Sequence, residues 1–307
     1  MGRIVSQEVT PDVLVTTPTG NIGRHVATEL VAQGVPISVL VREGSQQRLD
    51  EAVRQRAEVF AGAMNDPDAL TRASVGAKAM FLALPPDPTT DDLAAQWASF
   101  TAAAVAAVQT NAIAHVVLIS TQGAGPGRGS LMGPLFDTEE ALRGVVPNLR
   151  ALRAGCFMEN FLPFAAAIAE GVFPFAVPPT AALSLIATVD IAALAADLLT
   201  DLSWTGQDAF GVHGPDDLTP VQIADVLTDT TGHPVRHVQP TPEQVLDTLL
   251  GAGMSYGAAK PTADMFTIMG QDTTGADPRV PRGTTPTTFR EFATNTLAPA
   301  VAAARRG

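Results

Sequence analysis

The first half of the chain repeats one pattern, a short apolar run followed by a mixed apolar and polar stretch. "DVLVTT" (12–17), "PISVLVR" (36–42), "AEVFAG" (57–62), "AMFLAL" (79–84) and "HVVLIS" (115–120) are the apolar runs. They show little alternation, as expected of parallel strands covered by helices on both faces. Between them lie helix-like segments. "NIGRHVATELVAQG" (21–34) stops on a glycine, and "QQRLDEAVRQR" (46–56) is polar. "DPDALTRASVG" (66–76) opens on an Asp cap with Pro in its first turn, and an Ala-rich stretch fills 91–111. Alternating strands and helices predict an α/β fold, a doubly wound parallel sheet of the Rossmann type. Ligand is expected at the carboxyl ends of its strands.

The second half is less regular. "TQGAGPGRGSLMGP" (121–134) predicts a flexible Gly-rich loop directly after the fifth strand. "FDTEEALRGVV" (136–146) predicts a helix capped by Thr138, and "NLRALRAG" (148–155) a strand. "LIATVDIAALAADLLTD" (185–201) reads as an amphipathic helix with its lead-in, "DAFGVHG" (208–214) as a strand and "TPVQIADVLTDTTG" (219–232) as a helix. There are no repeats and no linker between independent domains. The expected division is a dinucleotide-binding domain over 11–155 and a smaller C-terminal substrate region over 156–307. The second region should pack on the first and roof a pocket, with late elements returning to the sheet.

Composition narrows the partners. With 46% hydrophobic residues in 307, a sizeable core is available. The net charge of −12 argues against nucleic acid and anionic membrane, and the Arg305-Arg306 pair is too short to change that. Cys156 is the single cysteine, which excludes a disulfide framework and a Cys-based metal site. No His/Asp/Glu group has metal-ligand spacing, so no metal is expected. There is no apolar run of roughly 20 residues. "MGRIVSQEVT" lacks the apolar core of a signal peptide. A soluble, cytoplasmic protein is expected.

The chemistry concentrates in "VLVTTPTGNIGRHV" (13–26), a strand, a tight turn and a helix start. Thr17 stands where a full Gly fingerprint has its first glycine, and its Cβ limits φ. Pro18 fixes the following turn. Gly20 and Gly23 are spaced to bring backbone N–H groups to a pyrophosphate at a helix N-terminus. A strand–helix turn of this kind also occurs without any ligand. An acid after the second strand would accept from the ribose 2′-hydroxyl of NAD. Arg42 stands there instead and suits a 2′-phosphate, with Ser45 and Arg48 beside it. The cofactor expected is therefore NADP(H). The alternative for Arg42 is a solvated surface charge.

The order "VTTPTGNIGRHV", "VLVRE", "FAGAMNDPDAL", "LRALRAGCFMENFL", "TVDIAALAADLL", "GPDDLTPVQIA" and "TPTTFREF" resembles the NmrA-like group of atypical short-chain dehydrogenases/reductases. The most specific piece is "RAGCFMEN", Arg153 to Asn160. The resemblance covers nearly the whole chain. It implies a Rossmann domain, a smaller substrate region and a preference for NADP(H). By the same resemblance Thr17, Thr19, Gly20, Asn21, Ile22 and Gly23 belong to the pyrophosphate loop, and Arg42 meets the adenosine phosphate. Leu84, Pro85, Ser120 and Thr121 lie along the cofactor. Phe157, Met158, Asn160 and Phe161 border the nicotinamide and substrate. Two departures stand out. The Asp that follows the glycine after strand three is Ala63. The Lys of many reductases falls at Leu135 or Phe136, which donate no proton.

Short-chain dehydrogenases often use Tyr-x-x-x-Lys, in which the lysine lowers the tyrosine pKa for proton donation. Tyr256 and Lys260 make such a match in "YGAAK", but far downstream of strand five. Pro261 is expected to end any helix there. Tyr256 alone remains a candidate if the roof delivers it to the pocket. Thr121 and Gln122, directly after strand five, are the other catalytic candidates. Asp137, Glu139 and Glu140 read as favourable charge at a helix N-terminus, and His213 and His237 as structural. Phe157, Phe161, Phe164, Phe173 and Phe175 crowd one region, as core or as the lining of an apolar pocket.

The function expected is an NADP(H)-dependent oxidoreductase that transfers a hydride to a small apolar carbonyl, quinone or enone. Two rivals share the fold. One is a non-catalytic NADP(H)-binding redox sensor that regulates a partner. The other is a non-redox tailoring enzyme, an isomerase or cyclase.

Overall fold

The computed structural model describes residues 11–123, 132–269 and 276–306. The middle of the expected Gly-rich loop, 124–131, and the stretch 1–10 lie outside the described residues.

Six strands come first: Val13–Thr16 (β1), Ile37–Val41 (β2), Glu58–Ala61 (β3), Ala79–Leu82 (β4), His115–Thr121 (β5) and Asn148–Ala154 (β6). Short strands follow at Cys156–Phe157 (β7), Val172–Pro174 (β8) and Leu183–Ile186 (β9). Gln207–Val212 (β10), Asp217–Leu218 (β11) and Arg236–Val238 (β12) complete the set. The central sheet has seven strands in the order β10-β6-β5-β4-β1-β2-β3, and every neighbour pair is parallel. The chain winds outward from β1 to β3, crosses over to β4 and winds the other way. Its topological switch point therefore lies between β1 and β4.

The helices are Gly23–Ala32 (α1), Glu51–Arg56 (α2), Pro67–Ala73 (α3), Leu93–Asn111 (α4), Gly133–Arg143 (α5), Ala165–Ala169 (α6), Thr188–Thr200 (α7), Pro220–Thr231 (α8), Pro242–Gly251 (α9), Tyr256–Met269 (α10), Phe289–Phe292 (α11) and Ala298–Ala304 (α12). The unalternating strands now have their reason. Val13, Val15, Ala79 and Phe81 enter one core with α1 and α7. Leu14, Met80 and Leu82 point to the other face, under α3, α4 and α5. Successive strand side chains alternate faces, so burial on both faces demands continuous apolar runs.

Beyond β6 a third core forms. Phe161 packs edge-on against Phe173, Phe175 and Phe289, with centroids 5.2, 5.3 and 5.7 Å away. β9 pairs with β7 and β11, and β8 with β12. β10 and α7 belong to the central layers, although both come late in the chain.

Two expectations change. Thr138 is not a helix cap. α5 starts earlier, at Gly133, and Thr138 is fully buried, donating to the Pro134 carbonyl at 2.9 Å and lying 2.8 Å from the Thr101 hydroxyl. Pro261 does not end a helix either, because α10 runs through it to Met269. Proline forfeits one backbone hydrogen bond. The buried Ala258, Ala259 and Ala263 hold the helix on the body of the protein. Among the described residues, no helix is long and apolar enough to cross a membrane.

Candidate functional site

A cleft of about 620 Å³ opens at the switch point. Its floor is the turn after β1 (Thr17, Gly20, Asn21, Ile22 and Gly23), and one wall is the segment after β4 (Ala83 to Pro88). The roof is α10, through Ala258, Thr262 and Met265, residues three and four apart on one helix face.

The turn is built without a full set of glycines. Thr17 adopts φ +52°, the left-handed region that glycine normally occupies. A β-branched residue there is strained. Its neighbour Thr16 anchors it: the buried Thr16 hydroxyl donates to the Phe81 carbonyl at 2.9 Å and accepts from the Ala83 N–H at 3.2 Å. β1 and β4 are thereby stitched together at the cleft floor. Gly23 is required by packing, since a Cβ there would lie 2.2 Å from the Thr17 carbonyl oxygen. α1 begins with no side-chain cap. Among the described residues, the Asn21, Ile22 and Gly23 amides have no backbone partner. Uncapped N–H groups at the start of a helix, beside a cleft, fit a phosphate-bearing cofactor.

A smaller pocket of about 150 Å³ continues from the cleft. The two share Ser120, Met132, Phe157, Asn160 and Met265. Thr121, Gln122, Cys156, Leu183 and Ser184 complete much of the inner pocket. Burial pushes the Cys156 thiol up to about 12, partly opposed by a hydrogen bond to Asn160. Cys156 is therefore a thiol at neutral pH, and a poor nucleophile.

Below this pocket lies a polar network. The Ser120 hydroxyl donates to Glu139 Oε1 at 2.6 Å. Arg153 donates to both Glu139 oxygens, at 3.0 and 2.7 Å, and to Asp277 Oδ1 at 3.0 Å. Asp277 Oδ2 accepts from the Gly123 N–H at 2.8 Å. Its carbonyl accepts from His213 Nε2 at 3.0 Å, which leaves His213 Nδ1 to accept from Ser184 at 2.8 Å and Gln122 at 2.9 Å. Burial, and next the charge of Arg279, hold the His213 pKa below its ordinary value. Its partners ask for the neutral ring.

Most of the sequence-predicted residues gather here. Gly20, Asn21, Ile22, Gly23, Leu84, Pro85, Ser120, Phe157 and Asn160 line the cleft, and Thr121 and Gln122 the inner pocket. Thr19 belongs to the turn but not to the cleft wall. Arg42 stands exposed just beyond β2 and has no ion pair among the described residues. Met158 and Phe161, expected in the substrate pocket, are buried in the third core instead. There they pack with the aromatic cluster that roots β8 and α11. Tyr256 is 62% exposed, on a face of α10 turned from the cleft, and Lys260 pairs with Asp264 at 2.5 Å. The "YGAAK" match forms no Tyr–Lys pair in the pocket. Leu135 lines the cleft, while Phe136 is fully buried beneath the Arg153 guanidinium.

The Glu139–Arg153–Asp277 network was not legible as a unit. Its members lie on α5, on β6 and near the C-terminus, and only tertiary structure joins them. Glu139 sits deep within α5 and is 1% exposed, so it is not a helix-start charge. Glu159, inside the "RAGCFMEN" stretch, has a local role. Its carboxylate accepts from the Thr188 N–H and hydroxyl, at 3.0 and 2.7 Å, and caps α7 from a distance. Asp190 in the same helix accepts from Thr287. Three of the sequence stretches that carry the resemblance thus bind one another.

The model of the NmrA-like family matches residues 10–293. An NAD(P)H azoreductase from Xenophilus azovorans is 29% identical over 285 residues, covering 92% of this chain and 96% of the relative. A (4-alkanoyl-5-oxo-2,5-dihydrofuran-3-yl)methyl phosphate reductase from Streptomyces griseus is 31% identical over 229 residues, 73% of this chain and 75% of the relative. Among solved structures, an NADPH-dependent quinone oxidoreductase from Escherichia coli, complexed with NADPH, superposes with a TM-score of 0.72. It shares 23% identity, and the match covers 95% of this chain and 99% of that one.

Proposed function

The chain belongs to the NmrA-like family, and on that premise we propose that it is an NADP(H)-dependent oxidoreductase acting on a small apolar carbonyl, quinone or enone. One observation carries the reading. An uncapped glycine turn, a long cleft and a small pocket with a partly apolar lining adjoin one another at the switch point of the sheet. The reductase activities of the azoreductase and furanone-phosphate relatives support it. NADP(H), when bound, supplies the hydride.

The chain's own residues bind, orient and shield. The amides of Asn21, Ile22 and Gly23 hold the pyrophosphate, and Arg42 meets the 2′-phosphate. Leu84 and Pro85 flank the cofactor from the β4 side. Phe157 and Met265 give the acceptor an apolar seat, and the α10 roof keeps water from it. Thr121 orients the acceptor oxygen. Its hydroxyl makes only a long 3.4 Å contact with the Gln122 carbonyl, whereas Ser120 is engaged by Glu139 and Gln122 by His213. Residues 11–155 supply the cofactor half and 156–307 most of the substrate half, with β10 and α7 as structural returns. Calorimetric titration with NADPH tests the reading, with tight, saturable binding expected. No detectable binding would overturn it.

A further inference from the structure

Asp87 is an acid in the wall of a cleft that should hold an anion. It lies in the "PPDP" segment after β4 and lines the cleft. Its N–H donates to Gln96 Oε1 at 3.1 Å. Its Oδ1 accepts from the Thr89 N–H at 2.8 Å and the Thr89 hydroxyl at 2.7 Å. These bonds, the hydroxyl's first, hold its carboxyl below the usual carboxylate range, with a further contribution from the charge of Arg42. The group is therefore ionised, fixed in direction and within electrostatic reach of Arg42. No hydrogen bond to Oδ2 meets geometric limits among the described residues, although the Gln96 side chain lies close enough to help hold the carboxyl low, so the carboxylate keeps acceptor capacity toward the cleft.

A fixed carboxylate with acceptor capacity to spare asks for a donor. Phosphates offer none. Arg42, which the cofactor reading places at the 2′-phosphate, marks this as the adenosine end, and Ala63, the residue after the β3 glycine, carries no side-chain acceptor. We propose that Asp87 recognises the adenine ring of the dinucleotide, its carboxylate accepting a hydrogen bond from the exocyclic amino group. The inference rests on the cofactor reading above. Asp87 thus selects the base, while Arg42 selects the phosphate. Its repulsion of the phosphates is weak, because the site is half exposed and screened.

A local alternative is that Asp87 serves only the Thr89 turn. Asp87→Asn separates the two roles. Asparagine keeps an oxygen for Thr89 but turns an amide N–H₂ toward the base, a donor facing a donor. The experiment compares NADPH with NADH and with the hypoxanthine counterpart of NADPH, which has a carbonyl in place of the amino group, by calorimetric binding to the wild-type protein and the variant. The wild type should prefer NADPH by about tenfold, the worth of one charge-assisted hydrogen bond in a partly exposed site. Asp87→Asn should weaken NADPH binding by about tenfold and narrow or reverse the preference, with an unchanged melting temperature. Unchanged affinities for NADPH and its hypoxanthine counterpart would reduce Asp87 to a turn residue and overturn the proposal. Equal losses for both would point to the ribose and also overturn it. A gain for NADPH without a gain for NADH would mean that Asp87 merely repels the 2′-phosphate, again against the proposal. Failure of the wild type to bind NADPH at all would instead overturn the cofactor reading beneath it.

Discussion

Gly20 and Gly23 lie on one turn and constrain it differently. A Cβ on Gly23 would lie 2.2 Å from the Thr17 carbonyl oxygen, whereas one on Gly20 would meet that oxygen at 3.3 Å, with open space beyond. Gly23→Ala should therefore destabilise the fold, by about 1–3 kcal/mol as for other overpacked sites. Gly20→Val should keep a cooperative fold and lose NADPH binding, because the added methyls occupy the side of the turn that faces the cleft. Urea midpoints and cofactor titration of both variants check the pair. Wild-type NADPH affinity in Gly20→Val would make the turn a turn and nothing more. Arg42 belongs to the same scale. Removing a guanidinium that faces a 2′-phosphate costs about 1.5–3 kcal/mol of binding when the contact is well formed. As an exposed cation, Arg42 should contribute toward the low end. Arg42→Ala is expected to lower NADPH affinity about tenfold and to leave NADH affinity unchanged. Equal affinities of the wild type for the two cofactors would dismiss Arg42 as the selector. Both candidates could be named from the sequence because each is a local signal, a spacing of glycines and a cation after a strand. The left-handed Thr17 was not visible, because its conformation is imposed by the Thr16 bonds to β4.

At the scale of elements, legibility followed burial. β1, β2, β4 and β5 were readable because helices cover both faces of their sheet and force nearly unbroken apolar runs, whereas β3, β6 and β10, which carry polar residues, were read from shorter apolar stretches. β7, β8, β11 and β12 were not, since strands of two or three residues leave no periodicity to detect, and the end of β9 was read as the lead-in to α7. The roof helix α10 was hidden by Pro261, and with it the fact that Tyr256 faces outward. The network that joins α5, β6 and the C-terminal segment makes its own demand. Glu139 is buried and holds both Arg153 and Ser120. Glu139→Ala should cost about 3 kcal/mol, the usual penalty for leaving one charge of a buried pair unmatched. A change below 1 kcal/mol in chemical denaturation would show that Asp277 alone satisfies Arg153. His213 adds a pH dependence. Its native pKa lies below the ordinary 6.5, so the folded state prefers the neutral ring. This contribution is complete above about 6.5 and is lost as pH falls through the native value, because the unfolded chain binds the proton first. The wild type should lose stability between pH 7 and 5 more steeply than His213→Gln. Parallel slopes for the two proteins would remove His213 as the cause.

The whole molecule poses the question of chemistry against sensing. The cleft and the inner pocket adjoin across shared lining residues, and α10, from the second half of the chain, roofs the cleft. A regulator needs its cofactor state to change a surface that a partner reads. An enzyme needs a second ligand held beside the first. The inner pocket offers room for such a second ligand, and Met132, Phe157, Leu183, Met265 and Met269 make part of its lining apolar. We therefore expect the purified protein to oxidise NADPH in the presence of an apolar quinone or enone. Tyr256→Phe should keep most of that rate, because the ring is 62% exposed and outside both cavities. A true general acid contributes roughly 10²–10⁴-fold, so a loss of that size would mean that α10 rotates its outer face inward on binding. A broad acceptor panel with no turnover, despite tight NADPH binding, would transfer the case to the sensor or to non-redox tailoring. Those two separate in turn. A sensor must bind a partner differently in the presence of NADPH and NADP⁺, which a pull-down under each form reads directly. A tailoring enzyme would convert an apolar substrate with no change in cofactor absorbance. Turnover of a quinone or enone that is abolished by Gly20→Val and preserved by Tyr256→Phe would tie the chemistry to the glycine turn and the pocket beside it. The one sequence match to a catalytic pair would then stand as chance.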